Sequence, residues 1–365
     1  MTQRILLIGG YGNFGKFIAK RLARESALTV IIAGRSADHA RRLAAELNTE
    51  WAAFDINNNL DRSLREIAPD ILIHTSGPFQ GQSYDVAEAC IRNRVHYIDL
   101  ADGRDFVTNV GRLDPLAKAA RVLVVSGAST VPGLTAAVLI RYAAEFAALE
   151  RLDFGIATAQ QTNRGLATVQ AVLSYAGKPF TTLIDGRMQT VQGWQGLTWR
   201  RFTGLGLRSL ANCDIPDLAL FPKLFPTLRT IRFRAGLELA PLQLGLWLLT
   251  WLVRAHVIPN LRSAAPVLHH AAQLFDRFGT DDSGFYMELR GRSATGERQR
   301  LSFDLVARAG DGLMIPCTPA IVLALRLVHG DIVERGASPC IGLVDLDALL
   351  DELKSLRITW TVSRD

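Results

Sequence analysis

Up to Ser126, apolar positions switch back and forth between two spacings. Short runs rich in β-branched residues stand at Arg4–Ile8, Leu28–Ala33, Trp51–Phe54, Ile71–Thr75, His96–Leu100 and Val122–Ser126. Between most of them, apolar residues recur at helical spacing. Phe14, Phe17, Ile18 and Leu22 do so within Phe14–Arg24, and Ala37–Leu47 and Ser83–Arg92 behave alike. Strand–helix alternation needs crossover connections. The pattern therefore predicts an α/β fold, a Rossmann-type doubly wound parallel sheet covered on both faces.

Beyond Ser126 the rhythm changes. Pro132–Ala148 reads as one helix with proline near its start, where the missing N–H is harmless. Leu149–Ala159 reads as a strand and Leu166–Ala176 as a helix, whereas Gly177–Pro226 is turn-rich and resists parsing. Gly284–Arg292 and Gln299–Arg308 alternate on either side of Ser293-Ala294-Thr295-Gly296, the pattern of a hairpin. Pro316–His329 and the short Leu346–Leu353 are helical. With 365 residues, more than one core usually organises, the chain divides into a dinucleotide-binding domain at 1–130 and a second, mixed α/β (α+β) domain at 131–311.

Composition narrows the classes. At 48% hydrophobic and 21% charged, with no low-complexity tract, the chain is not of a disordered type. The net charge of +6 is spread over scattered arginines and makes no basic run, so nucleic acid is not an expected partner. Cys90, Cys213, Cys317 and Cys340 form no CxxC pair, which speaks for reduced thiols in a cytoplasmic protein without a metal. The opening residues run directly into a strand and lack the form of a secretion signal.

The chemistry begins at Gly9-Gly10-Tyr11-Gly12-Asn13-Phe14-Gly15. Here G-x-G-x-x-G falls on Gly10, Gly12 and Gly15, after a strand and at the opening of an amphipathic helix, the context the motif requires. Gly10 is assigned the tight turn, Gly12 the close approach of a pyrophosphate and Gly15 the contact of helix with strand. Amides near Asn13 and Phe14 would then face the anion at a helix N-terminus. Enzymes that use NAD place a carboxylate at the end of the second strand to hold the ribose 2′-hydroxyl. This strand ends instead in Ala33-Gly34-Arg35-Ser36. A guanidinium followed by a hydroxyl suits a 2′-phosphate, so NADP is expected ahead of NAD. Asp55, after the third strand, is read either as an adenine contact or as the N-cap of the next helix.

Further blocks go beyond the glycine loop: Ser76-Gly77-Pro78-Phe79 with Gly81, Ala89-Cys90 leading to His96-Tyr97-Ile98-Asp99-Leu100, and Ser126-Gly127 with Val131-Pro132-Gly133. With Gly312–Leu325 and Gly336–Cys340, they make the chain resemble the saccharopine dehydrogenase-like family. The resemblance covers 1–135 and 310–352 and thins out between 150 and 300. It implies hydride transfer between NADP(H) and a carbon bound to nitrogen. It also implies that 312–352 packs back on the first domain, and that the middle of the chain makes a homodimer interface. Ser76, Gly77 and Pro78 would lie beside the nicotinamide ribose. Asp99 and Asp102 would face the same crevice, with Tyr97 nearby, as candidates for a proton donor or an iminium-stabilising carboxylate. One departure is visible. Saccharopine-forming members carry an acid just before the Pro-Gly pair, where this chain has Val131. Saccharopine itself is thereby put in doubt as the substrate.

Leu239–Val253 holds no charge and carries Trp247 and Trp251 one turn apart. It is too short to span a bilayer, which takes about 20 apolar residues. Three readings remain: a buried or dimer-interface helix, a helix lying on a membrane beside Arg232, Arg234 and Arg254, or a channel for a lipid substrate. His269-His270 lacks partners at ligand spacing and reads as structural or surface rather than metal-binding. The leading expectation is an NADP-dependent oxidoreductase acting on a small amine or imine. The alternatives are a membrane-associated lipid (enoyl-type) reductase and an NADP-binding sensor without turnover.

Overall fold

The computed structural model describes residues 2–162 and 165–365. The chain forms two compact units, one comprising Met1–Ala137 and Leu313–Leu353, the other Val138–Gly312 and Lys354–Asp365.

The first unit is built on a seven-stranded parallel sheet. In chain order its strands are β1 (Gln3–Ile8), β2 (Leu28–Gly34), β3 (Glu50–Ala53), β4 (Ile71–His74), β5 (His96–Asp99), β6 (Leu123–Ser126) and, from far along the chain, Gly336–Pro339. Their lateral order is β3-β2-β1-β4-β5-β6, with Gly336–Pro339 beyond β6. This is the expected doubly wound Rossmann order. Ile5–Ile8, Val30–Ala33, Ile71–Ile73 and Leu123–Val125 are at most 3% exposed, as strands covered on both faces must be. β3 is the edge strand. Both its faces are partly wet, which explains why the apolar pattern places it one residue late.

The run expected as one helix from Pro132 to Ala148 is shorter. Val131, before proline, is held extended at φ −119°, ψ 120°, and the helix proper is Thr135–Ala143. Phe146 and Leu149 belong instead to the lead-in and body of the next strand, β7 (Ala148–Ala157). Within the first unit, the helix Thr318–His329 buries Ala320, Ile321, Leu323 and Ala324 almost completely. Among the described residues, Asp311–His329 is the one segment apolar and long enough to cross a membrane, and more than half of it is buried.

The second unit contains a mixed seven-stranded sheet. Its members are β7, β10 (Thr198–Phe202), β11 (Gly206–Asn212), β12 (Thr230–Gly236), β13 (Ser283–Arg292), β14 (Arg298–Ala307) and the terminal strand Ile358–Arg364. β7 and β12 pair in parallel and the other neighbours antiparallel. The expected hairpin is β13–β14. A separate hairpin joins β8 (Pro179–Ile184) to β9 (Arg187–Gln192) through Asp185-Gly186, both at positive φ. The stretch Gly177–Pro226 thus holds four strands and the helix Asp217–Leu224. The helix Ala240–Arg254 is not buried as a whole: Gln243, Thr250 and Val253 face inward, and three of its six leucines, Leu244, Leu248 and Leu252, are exposed.

Candidate active site

The site is assembled from the loops that leave the carboxyl ends of β1, β2, β4 and β5. After β1 the chain turns at Gly9, whose φ of +76° suits glycine, and whose Cβ would lie 2.6 Å from both Ser76 Oγ and Thr75 Oγ1. The turn therefore falls on Gly9, one position before the residue assigned to it by the motif. Gly10 is needed for closeness instead, since a Cβ there would sit 2.9 Å from Leu7 O and 3.0 Å from Ile32 Cγ2. Gly12 is exposed, and a Cβ on it would meet only Gly9 O, at 3.1 Å. Gly15 opens the helix α1 (Gly15–Leu22) and is the tightest position. A Cβ there would lie 2.2 Å from Gly9 O and 2.7 Å from Gly10 Cα. Asn13 and Phe14, both half-buried, carry the chain between them. The carbonyl of Phe14 accepts from the Ile18 amide at 3.2 Å and from Cys317 Sγ at 3.6 Å. Burial pushes the Cys317 thiol up, so it stays protonated.

At the end of β2, Arg35 is exposed and makes no hydrogen bond or ion pair among the described residues. Ser36 Oγ accepts from the His39 amide at 3.4 Å and caps the helix Ala37–Leu47. Tyr11, from the glycine loop, reaches across. Its hydroxyl accepts from the Ser36 amide at 2.9 Å, and its ring packs where a Cβ on Gly34 would stand. Sequence reasoning passed over Tyr11 because it fills a variable place in the motif. Asp55 is not the N-cap of the helix Leu60–Ile67, which starts from Asn59. Asp55 Oδ1 accepts from the amide and side chain of Asn57, each at 3.0 Å, a local turn that holds no helix end.

The loop after β4 is tied down on two sides. Thr75 Oγ1 donates to the carbonyls of Ile8 at 2.9 Å and Gly9 at 3.1 Å. Gln82 Nε2 donates to Ser76 O at 3.0 Å and Pro78 O at 2.8 Å. Ser76, Gly77 and Pro78 are thus held half-exposed beside the glycine loop, with a cis peptide between Gly77 and Pro78. Thr75 and Gln82, neighbours of the block, were not singled out from sequence.

The three residues expected to work at the crevice separate by burial. Asp99 is fully buried. Its Oδ1 accepts from the amides of Gly127 at 2.8 Å and Ala101 at 2.9 Å and from Ser126 Oγ at 3.0 Å, while Oδ2 accepts none. Burial pushes its carboxyl up to about 6, against the pull of those donors. Tyr97 is likewise buried, its hydroxyl 3.1 Å from His74 Nδ1. Burial raises the Tyr97 phenol and lowers the His74 imidazole to about 4, so both are neutral at pH 7. Asp102 alone is half-exposed. Gln80 Nε2 donates to its Oδ1 at 3.0 Å, and desolvation raises its carboxyl above the ordinary aspartate range. The geometry brings Asp102 and Gln80 together at the rim and leaves Asp99 and Tyr97 beneath it. Among the described residues, no group of three or more His, Cys, Asp or Glu side chains is placed to hold a metal ion.

Residues 5–143 match the family model described as saccharopine dehydrogenase NADP binding domain. No curated protein matches the sequence. Among solved structures, apo saccharopine dehydrogenase (L-Glu forming) from Saccharomyces cerevisiae superposes with a TM-score of 0.71 at 13% identity, over 99% of this chain and 100% of that one. Homospermidine synthase from Legionella pneumophila, solved with NAD, gives a TM-score of 0.62 at 10% identity, over 100% and 92%. At such identities the superpositions establish the fold, and the domain match carries the relationship. Residues 5–143 thus carry a match to the saccharopine dehydrogenase NADP binding domain, on a chain whose fold the superposed structures share.

Proposed function

We propose that this protein is an NADP-dependent oxidoreductase that moves hydride to or from a carbon bound to nitrogen in a small metabolite. The observation that carries the reading is the glycine loop joined to a free guanidinium. Gly12 leaves the loop open on its outer side, and Arg35, at the end of β2, makes no hydrogen bond or ion pair among the described residues. That combination fits a diphosphate passing over the loop and a 2′-phosphate held at the strand end. The choice of a C–N bond draws on the two superposed structures, a saccharopine dehydrogenase and a homospermidine synthase.

The dinucleotide, when bound, supplies the hydride chemistry. The chain's own residues set the frame. Gly9, Gly10 and Gly15 let strand, loop and helix approach closely, and Thr75 and Gln82 fix the neighbouring loop against them. Asp102 is the proton-holding group at the rim: desolvation favours its protonated form, and Gln80 fixes the orientation of Oδ1. A carboxyl so tuned can give a proton to a substrate nitrogen or, when ionised, steady a cationic one.

The test is calorimetric titration of the protein and its Arg35→Ala variant with NADPH and NADH. Loss of a charge-assisted contact is expected to weaken NADPH by about 1–3 kcal/mol and leave NADH within about twofold. Equal weakening of both refutes the 2′-phosphate assignment. Absence of binding by either nucleotide removes the oxidoreductase reading altogether.

A further inference from the structure

The helix Ala240–Arg254 is built inside out. Its polar residues Gln243 and Thr250 are fully buried, whereas Leu244, Leu248, Trp251 and Leu252 are 41–60% exposed. The inward side chains are engaged through their oxygens: Gln243 Oε1 accepts from the Leu237 amide at 2.8 Å, and Gln195 Nε2 donates to Thr250 Oγ1 at 3.3 Å. Gly177 fixes the approach, since a Cβ there would lie 2.6 Å from Thr250 O and 2.7 Å from Val253 Cβ. The outward apolar face is therefore imposed by the packing beneath it. In the chain that follows, Val257, Val267, Leu274 and Phe278 are likewise exposed, between 61% and 72%. Large apolar side chains exposed in this number along one stretch of chain mark a place that meets something other than water.

Charge says what it meets. From Leu239 to Phe278 the one acidic residue is Asp276, whose Oδ1 accepts from Gln160 Nε2 at 2.8 Å, while Arg254, Arg262, His256, His269 and His270 stand along the same stretch. The Arg254 guanidinium lies 4.9 Å from the centre of the Trp251 ring, which in turn packs edge-on to Trp247. Aromatic rings and arginines beside exposed leucines are what the boundary between headgroups and acyl chains accommodates. A second copy of this chain is the poorer occupant. A two-fold contact would set the patch against itself and press Arg254 and Arg262 towards their equivalents, with no acid but Asp276 to offset them.

We propose that the surface formed by residues 240–278 docks on an anionic phospholipid bilayer, with the helix lying in the plane of the interface. Fifteen residues are too few to span the hydrocarbon, which takes about 20. The leucines and tryptophans enter the headgroup boundary, and the arginines engage phosphates.

The experiment is flotation of the full-length protein with vesicles of phosphatidylcholine alone and of phosphatidylcholine mixed with phosphatidylglycerol. Partitioning at least about tenfold stronger on the mixed vesicles is expected. A Leu248→Glu, Leu252→Glu double variant and, from the next helix, Val267→Glu with Leu274→Glu should each lose about tenfold or more while melting like the parent. Arg262→Glu should lose about fivefold or more on the mixed vesicles alone. The proposal falls if the parent stays in the aqueous fraction with both vesicles, or if both double variants float as well as the parent. It also falls if sedimentation shows a dimer that those variants dissolve while the parent ignores lipid. None of these readouts involves a nicotinamide nucleotide, so they stand apart from the oxidoreductase assignment.

Discussion

Gly12 and Gly15 sit three residues apart in one loop, yet a side chain at each has a different consequence. At Gly15 a Cβ would enter the backbone of Gly9 and Gly10, at 2.2 Å and 2.7 Å. Neither neighbour can yield without moving β1 or α1. Gly15→Ala is expected to lower stability by about 1–3 kcal/mol in urea unfolding and to abolish nucleotide binding as a by-product. At Gly12 the only close atom is Gly9 O, at 3.1 Å, and the space beyond is open. Gly12→Val should therefore keep the parent's melting temperature to within a few degrees while NADPH and NADH both fail to bind in fluorescence titration. Binding by a stable Gly12→Val protein would mean that the diphosphate passes elsewhere. The motif was legible because its spacing is rigid. The residue that takes the positive φ, Gly9, was not, because the pattern registers a glycine without telling which dihedral it serves. Tyr11 and Thr75 were missed for a related reason: their roles are contacts across loops, and no local spacing encodes them.

At the scale of elements, the apolar strands of the first unit were readable from their two spacings, and their ends were read less well. Asp99, the last residue of β5, was expected to face the crevice. Instead its Oδ1 collects three donors and pins the loop after β6 to the end of β5. Its carboxyl rises from the ordinary 3.8 to about 6 through burial. The folded chain thus holds this proton more tightly than the unfolded chain does. The resulting stabilisation is complete below about pH 4 and is lost as pH rises through about 6, amounting to about 2–3 kcal/mol for this group alone. Asp99→Asn keeps the Oδ1 acceptor and removes the buried charge. Melting temperatures between pH 4.5 and 8 should then fall less with rising pH than in the parent, with the largest gain near neutrality. Parallel profiles would show that another group titrates. In the second unit the patterns gave less. β9, Arg-Met-Gln-Thr-Val-Gln, and β10, Thr-Trp-Arg-Arg-Phe, have no consistently dry face. The hairpin around Ser293–Gly296 was legible, whereas the signal in Asp185-Gly186 was passed over within a stretch that resisted parsing. The helix Ala240–Arg254 misled for the opposite reason. Apolar nearly all round, it gives no stripe from which an inner face can be chosen, and tertiary partners chose the polar one.

The whole molecule depends on a chain excursion that no local pattern discloses. Gly336–Pro339 has poor strand propensity, yet it pairs with β6 from Leu123 to Ser126. Asp114 Oδ1 accepts from the Ala337 amide at 3.0 Å, and the Cys340 amide donates to Ser126 O at 2.8 Å. Arg21 on α1 is clasped by Glu352 through two hydrogen bonds of 2.7 Å, and Gly133 approaches Pro319 so closely that a Cβ would stand 2.8 Å from it. Residues 313–353 are thus part of the first unit's core and edge. Residues 1–137 produced alone are expected to be insoluble or to lack a cooperative melting transition. The same segment linked directly to 313–353 should melt cooperatively and bind NADPH. A soluble, cooperatively folded 1–137 fragment would show that the returning segment is dispensable.

The returning strand also sets the order of events on the ribosome. β6 is finished early, but the segment that covers its far side is not made until residues 138–312 have been translated. At about 5–20 residues per second, the nascent protein spends about 10–40 s with a strand that is fully buried in the finished fold as its open margin. That margin is a template on which two growing chains can join. Synthesis speed and helper proteins at the tunnel exit thus bear on the yield of this fold more than on that of a Rossmann domain whose strands follow one another without interruption.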